Sequence, residues 1–173
     1  MQHVTTVEVV LLSADAGTLR YRTVSAPLPT GPHPGGPHPA GPHPGGPHPD
    51  DLALHLSGLT LCTPGATLHS TSWRFADDAV VLTYAALPDP APVAGAPAVD
   101  VDRMVIGGAA LAPSPAAVDA DAVAAHAARH LALLVNTDPV VAEAATLQPD
   151  LWDLLAKIPQ GLAGGLHTIH SAS

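Results

Sequence analysis

The chain has a single cysteine, Cys62, in 173 residues. No intrachain disulfide can form, which excludes a disulfide-stapled secreted domain. Cations are also scarce: 6 Lys+Arg stand against 15 Asp+Glu, for a formal net charge of −9. Phosphate tracking needs clustered Lys/Arg, so neither a nucleic-acid partner nor an anionic membrane surface is expected. Aromatics make up only 3%, so the core must rest on Val, Leu and Ala. The mean hydropathy of +0.26 therefore overstates core strength, because Ala buries little area. No apolar run approaches the roughly 18–20 residues of a membrane span. The opening residues Met-Gln-His-Val-Thr-Thr-Val-Glu have neither the basic nor the apolar region of a signal peptide, so a soluble, cytoplasmic chain is expected.

What is present points to a folded domain. Apolar residues are 47% and charged residues only 12%, a balance that opposes wholesale disorder. The length suits one domain, expected over 1–158, with a tail over 159–173. Residues 4–13 and 19–24 read as a hairpin around Asp15-Ala16-Gly17. Residues 27–50 hold four Gly-Pro-His-Pro units, with His33, His38, His43 and His48 each flanked by Pro. That spacing removes backbone donors and predicts an extended surface loop interrupting the domain. The alternation of Leu52, Leu54 and Leu56 predicts a strand, continuing over 59–62 to a Pro64-Gly65 turn.

Residues 67–75 and 79–87 predict a hairpin around Asp77-Asp78. Phe75 then faces Val80, Trp73 faces Leu82 and Thr71 faces Tyr84, with the aromatics on the core face. A further strand is expected over 99–106, ending at Gly107-Gly108. Ser114-Pro115 reads as the cap of a helix to about Val135, with Val123, Ala127, Leu131 and Leu134 as its core stripe. Short helices are expected from Pro139 and Pro149. Strands first and helices last give an α+β class: an antiparallel or mixed sheet of about five to six strands with C-terminal helices packed on it.

The chemical candidates are sparse. His33, His38, His43 and His48 suit weak, adventitious metal binding, since imidazole ligates Zn and Ni but a Gly-hinged repeat has no preformed geometry. His126 and His130, four apart, share one helix face. Their segment His-Ala-Ala-Arg-His lacks the Glu of a zinc-protease motif, and Arg129 beside them disfavours a cation. His55, Cys62 and His69 meet only if their segments pair in one register. No cofactor, nucleophile elbow, P-loop or dinucleotide fingerprint is indicated.

The stretches 68–87 and 126–141 are similar to segments of uncharacterised actinobacterial proteins. The late hairpin followed by C-terminal helices resembles the Nudix hydrolase arrangement. A Nudix enzyme binds its divalent metal through a Glu-rich loop–helix, whereas this chain has only Glu8 and Glu143, and neither lies in such a motif. The resemblance therefore implies a degenerate Nudix-like scaffold, non-catalytic, binding a small molecule or a protein. The alternative is a hydrolase, metal-assisted or not, with a site around His55, His69, Asp77 and the His126/His130 pair. A shared cleft would discriminate the two.

Overall fold

The computed structural model describes residues 4–29, 48–76, 78–105, 115 and 117–161. The fold is α+β. Strands β1 (Val4–Asp15), β2 (Thr18–Pro27), β3 (Thr67–Ala76) and β4 (Ala79–Leu87) form one mixed sheet in the order β2-β1-β4-β3. Helix α1 (Pro49–Ser57) lies between β2 and β3 in sequence, and α2 (Ala120–Thr137), α3 (Pro139–Ala145) and α4 (Pro149–Leu155) follow the sheet.

The first hairpin turns through Ala16 and Gly17, both at positive φ, as the twist of a two-residue loop requires. β1 is central, pairing antiparallel with β2 and parallel with β4. Val9 to Leu12 are all fully buried on both faces of the sheet, so β1 reads as a continuous apolar run without alternation. On one face Val10, Leu12, Tyr21, Ala85 and Leu87 meet the helical stripe of Val123, Ala127, Leu131, Leu151 and Trp152. On the other, Val7, Val9, Leu11 and Tyr84 pack with Ala53 of α1 and with Leu59. Each such aliphatic side chain contributes about 1.5–3 kcal/mol when fully buried.

Polar ties fix the layers. The Tyr84 hydroxyl donates to Asp50 of α1, and the Tyr21 hydroxyl donates to Asp121 of α2. Burial, then the Asp121 hydrogen bond, pushes the Tyr21 phenol up to about 12. Arg22 forks onto the buried Asp89 at 2.6 and 2.8 Å, and Asp89 also accepts the Ala91 N–H, which anchors the chain as it leaves β4. That hydrogen bond to Asp89 raises the Arg22 pKa.

Four strands stand where five to six were expected, for two physical reasons. Residues 49–57 form α1 and not a strand: Pro49 fills the first helical position, Asp50 and Asp51 suit the dipole, and Gly58 closes the helix at φ +69. Residues 98–105 make only the Arg20–Ala98 bridge and a 3-10 turn, Val101–Arg103. α2 also begins later than expected, its cap being Asp119, which accepts the Ala122 N–H. The proposed Ser114 cap, the Gly107-Gly108 pair and residues 162–173 lie outside the described residues, as do residues 30–47 of the repeat loop. β2 reaches Pro27 and α1 starts at Pro49, at the two edges of the repeat segment.

The 67–87 hairpin has its expected pairs Trp73–Leu82 and Phe75–Val80, but a bulge at Thr71 puts Ser70 opposite Tyr84. The aromatic face is covered at one end only. Trp73 is 68% exposed and Phe75 58%, because α1 covers the Tyr84 end of this face only.

Candidate functional site

The bulge at Thr71 shapes the first candidate. It lets Thr71 turn inward, where its hydroxyl donates to the Thr83 carbonyl at 3.2 Å. His69, opposite Ala85, faces α2. α2 presents His126 and His130 four residues apart, and the three imidazoles meet: ring centroids lie 5.2 Å apart for His69–His130 and 6.0 Å for His126–His130.

Burial sets the electrostatics of this cluster. His130 is lowered to about 4, first by burial and then by His69 and His126, with the Thr71 carbonyl opposing. His126 is lowered by burial, with the Thr71 carbonyl opposing and the Arg129 cation adding to the shift. His130 is thus a neutral ring near pH 7, and His126 is biased the same way.

The structure brings together three of the five residues of the hydrolase reading. His55 is exposed on α1, across the sheet from α2, and Cys62 is exposed in the following turn. Asp77 lies outside the described residues, and Asp78 is exposed at the hairpin tip. Among the described residues, no group of three or more His, Cys, Asp or Glu has the geometry to hold a metal ion. Of the repeat histidines, His33, His38 and His43 fall outside the described residues. His48 is the N-cap of α1, its Nδ1 accepting the Asp50 N–H at 3.3 Å.

The second candidate is an open groove of about 530 Å³. Its floor includes Leu59, Ala66 and Leu68, and α1 and α3 contribute its walls. Two linked turns build the intervening loop: the Thr63 N–H donates to the Thr60 carbonyl, and the Ala66 N–H to the Thr63 carbonyl. Gly65 presses that loop against the end of α3. Its φ is +64, and a Cβ there would stand 2.7 Å from the Ala144 carbonyl oxygen, so no side chain fits. The Gln148 amide donates to the Pro64 carbonyl at 2.8 Å and completes the anchor.

The groove lining is apolar and wet. Leu61 is 102% exposed, Val140 73% and Leu147 59%, and Leu54 stands at the α1 wall. Among the described residues Glu143 is the one charged residue that lines it, and Cys62 is its thiol. Sequence reasoning missed this groove because three separate stretches make it: Leu54 of α1, residues 59–68 and residues 140–147. No family model matches this chain, and neither does any curated protein or solved structure.

Proposed function

We propose that this chain is a non-catalytic binding domain whose groove between α1 and α3 takes an apolar segment of a partner polypeptide. The observation that carries this reading is the row of solvent-exposed aliphatic side chains, Leu54, Leu61, Val140 and Leu147, along one open trough. A soluble surface leaves single apolar side chains exposed as a matter of course, whereas a contiguous set rimmed by polar groups marks an interaction site. Openness favours a polypeptide over a small molecule. Small-molecule sites bury 70–90% or more of their ligand, which a trough of this kind does not do. Glu143 selects a segment with a Lys or Arg beside its apolar residues. In this reading the scaffold, Nudix-like or not, serves as a platform and not as an enzyme.

The test is selection of displayed peptides on the full chain, with counter-selection on a Leu61→Asp/Leu147→Asp variant. An enriched family with spaced apolar residues and a cation, binding the variant at least tenfold more weakly, supports the proposal. No enriched family, or one that binds both proteins equally, overturns it. Concentration-dependent self-association abolished by the same substitutions also overturns it, since the occupant is then a second copy.

A further inference from the structure

Four of the five arginines pair with a carboxylate: Arg20 with Asp15, Arg22 with Asp89, Arg74 with Glu8 and Arg103 with Asp119. Arg129 pairs with none among the described residues, although the chain carries 15 acidic side chains. Its Nε is buried without a hydrogen-bond partner. The same holds for His126 Nε2 and His130 Nδ1. Among the described residues only four buried side-chain polar atoms lack a partner, and three of them lie within five residues of α2.

Buried polar atoms are nearly always satisfied, so three orphans in one place call for a missing partner. The chemistry of that partner follows from the atoms. Guanidinium offers only donors and keeps its charge. Each imidazole nitrogen becomes a donor by choice of tautomer or by protonation. A metal ion is a poor fit beside a fixed cation, whereas an acceptor carrying negative charge suits all three. Gly161 passes close to the guanidinium. The Gly161 N–H donates to the Arg129 carbonyl at 3.3 Å, and a Cβ on Gly161 would come within 3.2 Å of Arg129 Nη2. Arg129 and His126 are half-buried as residues while the three orphan atoms are covered, so a ligand reaches those atoms through side-chain movement, with no unfolding of the helix.

We propose that Arg129, His126 and His130 of α2 form a binding site for an oxyanion, the phosphate or carboxylate group of a small molecule. The guanidinium takes the anion in a two-point fork, the stronger geometry for charge-assisted hydrogen bonds. His126 donates from the flank once protonated, and His130, neutral near pH 7, donates only in the tautomer that carries its proton on Nδ1. The groups acting on these rings are His69 of β3, the Thr71 carbonyl, Arg129 and the rings themselves. A bound anion opposes the effect of Arg129, so binding draws a proton onto His126 and tightens as pH falls from 8 to 6. This site is separate from the groove and stands or falls without it.

The test follows the histidine ring signals of the full chain by NMR during titration with sodium phosphate, sodium acetate and sodium chloride at constant ionic strength. Saturable shifts of His126 and His130 with phosphate or acetate, stronger at pH 6 than at pH 8, support the site. The anion that saturates at lower concentration identifies the class. Arg129→Gln is expected to weaken binding at least tenfold, and Arg103→Gln to leave it unchanged. If Arg129→Gln does not fold, the wild-type titrations decide alone. Linear drifts equal to those with chloride show charge screening only and overturn the proposal, as does undiminished binding by a folded Arg129→Gln.

Discussion

Arg74 of β3 grips Glu8 of β1 across the intervening strand β4, with two hydrogen bonds of 2.8 and 2.9 Å. Thr83, fully buried on β4, stands between them, accepting from Arg74 and donating to Glu8. One of the chain's two glutamates is thus spent on tying three strands together, and is not available to bind a metal or activate water. Removing one partner of a largely buried pair leaves an uncompensated charge, so Arg74→Met is expected to cost about 2–3 kcal/mol. The double variant Glu8→Gln/Arg74→Met should cost less than the sum of the single ones, with about 1–2 kcal/mol of coupling. Urea unfolding of the four proteins measures it, and additive losses would show that the pair is not coupled.

The two tryptophans should behave oppositely. Trp152 is buried among the helices, 5% exposed, whereas Trp73 stands on the open face of the edge strand. Trp152→Ala is expected to cost about 3–5 kcal/mol. Trp73→Ala should cost no more than about 1 kcal/mol, the worth of its cross-strand pairing with Leu82. Acrylamide quenching of each single-Trp variant checks the assignment: strong quenching of Trp73 and weak quenching of Trp152.

These same residues show what was legible in the chain. The Trp73–Leu82 pairing followed from two β-prone runs around Asp77-Asp78, since a two-residue loop dictates register. Which face would be covered did not, because that depends on where α1 docks, 20 residues away in sequence. α1 itself was hidden by Leu52, Leu54 and Leu56, whose period of two mimics a strand. Pro49, Asp50 and Gly58 carried the helix signal and outweigh it. The His126–His130 pair was readable from helical spacing alone. Its union with His69 was not, since it needs both the Thr71 bulge and the docking of α2.

Acid should destabilise the fold through the histidine cluster. His130 is held near 4, below the ordinary imidazole value of 6.5, so the unfolded chain binds more protons between these values. Its contribution is complete above about pH 6.5 and is lost as pH falls through about 4. The loss is expected to reach about 2 kcal/mol, at roughly 1.4 kcal/mol per pH unit with a discount for partial exposure. His130→Leu should flatten the stability profile between pH 6.5 and 4, as followed by urea unfolding. An unchanged slope would place the acid sensitivity elsewhere.

The groove reading turns on whether a partner segment lies over Cys62, the chain's only thiol, which makes its chemistry a clean reporter. The direct measurement is the rate of Cys62 modification by a thiol reagent, with and without a saturating peptide selected on this protein. Occupancy of the groove is expected to slow modification at least tenfold. The protection should vanish in the Leu61→Asp/Leu147→Asp variant. An unchanged rate while the peptide is bound would contradict binding in the groove.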